Sequence, residues 1–275
     1  MAQAELVRSL GDLRPEEVSA INELQKRAEN EVDMKIISIF KIHDWLRAAW
    51  CRSLDAEKAC EVLKYHGEWI ERYDLRSISS MEIRENFKAG FSVKAGRDFD
   101  GRPLLWQRMQ FMTPSSIPLP VGIKSTWLAL DAALADLESN RIGVCLVYDF
   151  TNVGLRNISL NVFDVRDGSL ACGAGHPSHI SRVLFLNPPF VFKLGYNAAK
   201  PLLPSSVTNL VTMINIKEDN MNSWYSDLCA QDQLPEYLGG SQTGNYFDWL
   251  TERLKGSHLM YHEVPEFSIS DNIPS

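Results

Sequence analysis

Between Arg182 and Pro204 the chain reads RVLFLNPPFVFKLGYNAAKPLLP, and no other stretch narrows the possible folds as far. Val183 to Leu186 is a continuous apolar run closed by Asn187 and a proline pair, which suits a strand buried on both faces. Pro189 can occupy the first turn of a helix, where its missing N–H costs nothing. The helix that follows carries Phe190, Val191, Phe192, Leu194, Tyr196, Ala198 and Ala199 around most of its circumference. A helix of that kind is either buried or faces hydrocarbon. Its late charge is Lys200, a residue that also suits the negative end of a helix dipole.

The remaining chain divides by period. Pro15 with Glu16 and Glu17 predicts a helix start, continued by Ile21, Leu24 and Ala28. A second helix is expected over 35–50, and a third after the N-cap Asp55, with Ala59, Val62, Leu63, Trp69, Ile70 and Tyr73 on one stripe. Ser79 and Glu82 have capping-box spacing. From Phe91 onward, strands are expected at 91–95, 104–111, 142–150, 183–186 and 211–216. Helical stripes lie between them, at Trp127, Leu130, Leu134 and Leu137 and from Ile158 through Val162 and Phe163. Strands alternating with helices imply parallel pairing. The short connection through Gly96 to Pro103 fits a hairpin, so the sheet is expected to be mixed. A last helix is expected over Phe247–Leu254, and a loose Ser/Pro/acidic end from Glu263.

With 28 basic against 35 acidic residues the net charge is -7, which argues against nucleic acid as a partner and against permanent adhesion to an anionic membrane. No run approaches the ~18 apolar residues of a membrane span, and Glu5 and Arg8 interrupt the place of a signal peptide. Five cysteines without a CxxC pair suit a reducing compartment, so a cytosolic protein is expected.

The sequence has no GxSxG elbow, no phosphate loop and no HExxH. Gly173-Ala-Gly175 precedes a strand where a dinucleotide fingerprint should follow one, and Ser178 stands at the third glycine's place. His176 with His179, and His258 with His262, could each offer two metal nitrogens, but a zinc site needs more ligands. The expectation is no catalytic residue, no metal and no cofactor.

Five segments occur in a particular order: Leu54-Asp-Ala-Glu-Lys-Ala59, Asp98-Phe-Asp-Gly-Arg-Pro103, Asn187-Pro-Pro-Phe190, Lys200-Pro-Leu-Leu203 and Leu234-Pro-Glu-Tyr-Leu-Gly-Gly240. In this order and spacing the chain resembles the CRAL-TRIO lipid-binding family, of the yeast phosphatidylinositol-transfer-protein type, from about Val32 to Gly240. The resemblance implies an α/β fold: an N-terminal helical extension (1–80), a lipid-binding domain (81–240) and a C-terminal tail (241–275). It further implies a mixed, mostly parallel five-stranded sheet floored by helices on one face, with a lipid cavity over the other closed by a gate helix.

In relatives that bind phosphatidylinositol, a Glu before the fourth strand and a Lys ending the gate helix hold the inositol phosphate. Ser178 and Lys200 stand at those positions here, and a hydroxyl cannot reproduce a carboxylate. The family's Leu-Arg-Ala-Arg-Lys-Phe motif is also altered, with Ala49 and Trp50 after Leu46-Arg-Ala. Phe190, Phe192, Leu194 and Tyr196 are the expected gate residues. Trp106, Tyr148 and Met213 are wall candidates by position, and alternation leaves open which strand face meets the cavity.

The function so implied is non-enzymatic binding and transfer of a phospholipid, such as a phosphoinositide, with transient membrane contact through the gate helix. The alternatives are a carrier of a small isoprenoid-like hydrophobe, or a module that has lost its cargo and docks a protein partner.

Overall fold

The computed structural model of the chain describes residues 13–40, 42–75, 90–113, 117–157, 166–168, 170–171, 175–203, 205–217, 223–244 and 246–255. The capping box at Ser79, the stripe from Ile158, Gly173, the His258/His262 pair and the end from Glu263 lie outside these residues.

Helix α1 (Pro15–Glu31) starts at the predicted proline, and the Glu17 carboxylate accepts the Arg14 backbone N–H at 2.8 Å. The expected second helix is broken into α2 (Met34–Ile37) and α3 (Ile42–Trp50). At the break the Ser38 hydroxyl donates back to the Lys35 carbonyl at 2.7 Å, a local bond of the kind that competes with helix propagation. Helix α4 (Ala56–Tyr73) is capped as predicted, Asp55 accepting the Lys58 N–H at 3.1 Å, and its apolar stripe is buried from Ala59 to Ile70, with Tyr73 half-buried. A Cβ on Gly67 would come within 2.2 Å of Ile36 Cγ2, so α2 crosses α4 where only a glycine fits.

The sheet has the order β1-β2-β3-β4-β5. Its strands are β1 (Gly96–Arg97), β2 (Pro103–Arg108), β3 (Val144–Asp149), β4 (Ile180–Leu186) and β5 (Val211–Ile214). Only β1 is antiparallel to its neighbour, joined to β2 by the turn at Gly101, whose φ of 82° suits glycine. The strand expected at 91–95 is reduced to one bridge, Ser92 with Gln107, and regular pairing begins at Gly96. Strand β2 stops short of its expected end because Met109–Phe111 turns into a 3-10 helix.

Helices α5 (Leu119–Ala133) and α6 (Leu137–Ile142) lead into β3, while α7 (Phe190–Ala199) and α8 (Ser205–Thr208) connect β4 to β5. Helix α9 (Tyr246–Lys255) lies on α5 with Tyr246 and Leu250 buried, and Arg253 Nε donates to the Ala132 carbonyl at 3.0 Å. Residues 246–255 are therefore packed against α5.

Among the described residues three apolar clusters form. The extension packs on α5 through Trp127 and Ile123. One sheet face, with Leu105, Leu146 and Val183, meets Ala129, Leu130 and Ala133 of α5. The opposite face, with Leu104, Trp106, Val147 and Leu184, is sealed by Leu228, Cys229 and Leu234 from the 223–240 segment. Among the described residues no helix is long and apolar enough to cross a membrane.

Candidate functional site: an accessible sheet face beneath α7

In the central strands the two faces differ in access. Gln107, Tyr148, Phe185 and Met213 lie side by side across β2 to β5. Their neighbours Trp106, Val147 and Leu184 point to the other face and are 0%, 0% and 1% exposed. Tyr148, Phe185 and Met213 are half-buried instead, although β3 and β4 are interior strands. A side chain in the middle of a five-stranded sheet keeps accessible surface only where the layer above it leaves a gap. That gap lies on the face α5 covers, near the carboxyl ends of the strands.

Helix α7 borders it. Strands β4 and β5 are parallel, so the chain must return to their starting end, and α7 carries it back over this face. Phe192 meets Phe150 and Phe185 at ring distances of 4.1 and 5.1 Å, and Tyr196 meets Phe185 edge-on at 5.8 Å. Phe192, Tyr196 and Ala199 are spaced for one inward stripe, while Phe190 (77% exposed), Val191, Leu194 (61%) and Leu202 (55%) form an outer apolar one. The all-round apolar character of this helix thus resolves into two faces, one against the sheet and one open.

The division expected from the resemblance, helices under one face and a cavity over the other, is corrected here. Alternation along β4 sends Val183 and Phe185 to the same side, so α5 and α7 share a face and the opposite face is closed. Trp106 falls on the closed face and parts from Tyr148 and Met213, which flank Phe185 on the face that meets α7. Phe190 and Leu194 point outward. Phe150 and Phe185 were not singled out from the sequence, yet Phe185 follows from the register once Val183 is assigned to α5.

Ser178 and Lys200 make no hydrogen bond with each other. Ser178 lies in the loop before β4, 7% exposed, its hydroxyl without a partner. Lys200 is the exposed C-cap of α7 and opens the 3-10 turn Lys200–Leu202. The Ser178 loop is fixed by the extension: His66 Nδ1 lies 2.7 Å from the Gly175 carbonyl and His66 Nε2 lies 3.0 Å from Asp44 Oδ1. A Cβ on Gly175 would stand 2.9 Å from Trp69 Cγ, so glycine permits this approach. His176 Nε2 lies 3.4 Å from Asp131 Oδ1, and burial holds its pKa down at about 4. His176 is thus engaged by a carboxylate, and among the described residues no three His, Cys, Asp or Glu are grouped to hold a metal. Burial pushes the Cys51, Cys145 and Cys229 thiols up to about 11, 12 and 11, so they are poor nucleophiles.

A helical extension, a mixed sheet sealed on one face, and an aromatic gap under an amphipathic helix define a lipid-binding α/β domain. The model of the CRAL/TRIO domain matches residues 87–240, more than half of the chain, and the chain belongs to that family. Among curated relatives, the alpha-tocopherol transfer protein-like protein of Mus musculus is 25% identical over 202 residues, 71% of this chain and 57% of that protein. Its Homo sapiens counterpart is 23% identical over 234 residues, 83% of this chain and 66% of that protein. Tyrosine-protein phosphatase non-receptor type 9 of Mus musculus is 21% identical over 232 residues, 83% of this chain and 38% of that protein. The chain thus spans less than two thirds of each of these relatives. The crystal structure of Sfh5 superposes with a TM-score of 0.56 over 86% of this chain and 91% of that one, at 12% identity, a likeness of fold.

Proposed function

We propose that the chain is a non-enzymatic carrier of a neutral hydrophobe, held between the sheet and α7 and exchanged at a membrane surface. The observation that carries this reading is the accessible pair Tyr148 and Phe185 on interior strands, continued by Met213 on the edge strand β5 and walled by Phe150, Phe192 and Tyr196. An acyl or isoprenoid chain placed there gains ~0.8 kcal/mol per buried CH₂, close to what it gains in a bilayer, so loading and release are nearly balanced. Helix α7 acts as the gate, and its outer stripe is the membrane-contact surface. Relatives named for tocopherol transfer agree with a neutral cargo. Native mass spectrometry of protein purified from cells, before and after organic extraction, should show one retained hydrophobe per chain. A homogeneous unliganded mass, with no uptake from liposomes, overturns the carrier reading in favour of a docking module.

Phospholipid cargo is the second reading, favoured by Lys200 at the end of α7. A charged hydrogen bond is worth ~1.5–3 kcal/mol, so Lys200→Ala should then weaken anionic phospholipid binding about tenfold or more while sparing neutral lipid. Ser178→Glu should raise phosphatidylinositol binding. Absence of both effects leaves the neutral hydrophobe.

A further inference from the structure

We infer that Tyr196 is the polar anchor beneath α7, its hydroxyl donating a hydrogen bond to an uncharged oxygen of the cargo. The inference rests on the carrier reading and adds the point at which the cargo is held and the chemistry it must present there.

Tyr196 is 8% exposed and its hydroxyl has no hydrogen-bond partner. Buried phenols ordinarily find one, because an unpartnered polar group removed from water is costly. The rings in contact with Tyr196 supply none. Phe192 stacks on it at 6.3 Å and Phe185 meets it edge-on at 5.8 Å, and both are hydrocarbon. Tyr196 shares the inner stripe of α7 with Phe192, one turn earlier, so its hydroxyl belongs to the side facing the gap over Phe185. Desolvation raises its pKa, which keeps the proton on the oxygen and the group a donor.

The missing acceptor must therefore come from a molecule in the gap. A phosphate or carboxylate ion set among these rings would meet only neutral donors to offset its desolvation, which is far too little. An ester carbonyl or an alcohol oxygen needs only the one bond. Two sources offer that chemistry, the ester of a glycerolipid and the hydroxyl of an isoprenoid alcohol. A pure hydrocarbon offers neither.

The test compares the full chain, delipidated, with its Tyr196→Phe variant in displacement of a bound fluorescent hydrophobe. The displacing ligands are dioleoylglycerol, the C20 alcohol phytol and the hydrocarbon phytane. Tyr196→Phe should weaken dioleoylglycerol or phytol about tenfold and leave phytane unchanged. A loss confined to dioleoylglycerol identifies the glycerolipid source, and one confined to phytol the alcohol. The unliganded variant should also melt higher than the parent, because the change removes a buried group that nothing pairs with. Gain in stability with loss of affinity is a pair of signs that a packing role does not produce. Equal binding of all three ligands by both proteins, or a variant that melts lower or fails to fold, overturns the anchor while the carrier reading stands. Failure of the parent to bind any of the three, phytane included, overturns the carrier reading and the anchor with it.

Discussion

Arg47 of α3 and Asp131 of α5 form an ion pair at the centre of the molecule, with 1% and 3% of their side chains exposed. Arg47 Nε also donates to Asn140 Oδ1 at 2.9 Å and Nη2 to the Leu134 carbonyl at 3.4 Å, so one guanidinium joins the extension to α5 and to the turn entering α6. It faces inward, as a structural cation between the extension and the sheet-bearing part.

Removing one partner takes the counter-charge from the other, which stays buried in a medium that solvates it poorly. Arg47→Met or Asp131→Leu alone should therefore cost ~3–5 kcal/mol in urea unfolding. The double variant should recover most of that loss. Recovery stays incomplete because Asn140 and His176 each lose a partner as well. Additive single losses in the double variant would show that the pair is not coupled.

Acid should lower the stability of the protein in two stages. His176 is held at about 4, below its ordinary 6.5, by burial. As pH falls from 6.5 towards 4 the unfolded chain takes up this proton before the folded one does, and stability falls. Glu17 is held at about 2, below 4.5, by hydrogen bonds from Arg141, with Nε–Oε1 at 2.8 Å, and from Trp50 Nε1 at 2.9 Å. Its contribution is complete above pH 4.5 and drains away between 4.5 and 2. Each stage removes at most roughly 3 kcal/mol. Denaturant melts across pH should show that His176→Asn abolishes the upper stage and Glu17→Gln the lower. Unchanged upper-stage loss in His176→Asn would assign that proton to another group.

The outer stripe of α7 can be tested separately from the fold. Phe190 and Leu194 are 77% and 61% exposed, so replacing both with serine should shift stability by less than about 0.5 kcal/mol. A bilayer that covered them would gain most of the ~1.5–3 kcal/mol that burial of such a side chain brings, so vesicle binding should drop at least about tenfold. Cosedimentation with neutral liposomes measures it. Undiminished binding would move the membrane surface elsewhere.

How much of this was legible in the sequence depends on whether a residue's role is local. Pro15 and Asp55 set their helix starts through their own backbones and first turns, and both starts are where the pattern puts them. The buried run at Val183 and the helix after Pro189 were equally plain. The faces of the strands were not. Period-two alternation names two sets of residues, and only the packing of α5 on Leu105 and of Leu228 on Trp106 decides which set is sealed. Trp106 is a wall candidate by position for that reason, although it lies on the sealed face. The break at Ser38 and the contacts among Arg47, Asp131 and His176 were hidden too, since they join positions 84 and 45 residues apart.

Gly195 is the residue of α7 for which no packing reason exists. A Cβ built there meets nothing within 4 Å, and its backbone is not in the left-handed region. Glycine inside a helix costs about 1 kcal/mol relative to alanine, so Gly195→Ala should stabilise α7 by ~0.5–1 kcal/mol without a clash. If α7 opens by local unwinding, the same change raises the barrier to loading. Exchange of a fluorescent lipid between vesicles should then slow roughly twofold to fivefold, with cargo affinity at equilibrium unchanged or higher. Gly195→Pro, which breaks the helix, should do the reverse and speed release. Equal exchange rates in the parent and Gly195→Ala, alongside a raised melting temperature, would mean that α7 moves as a rigid piece about its ends at Pro189 and Pro201.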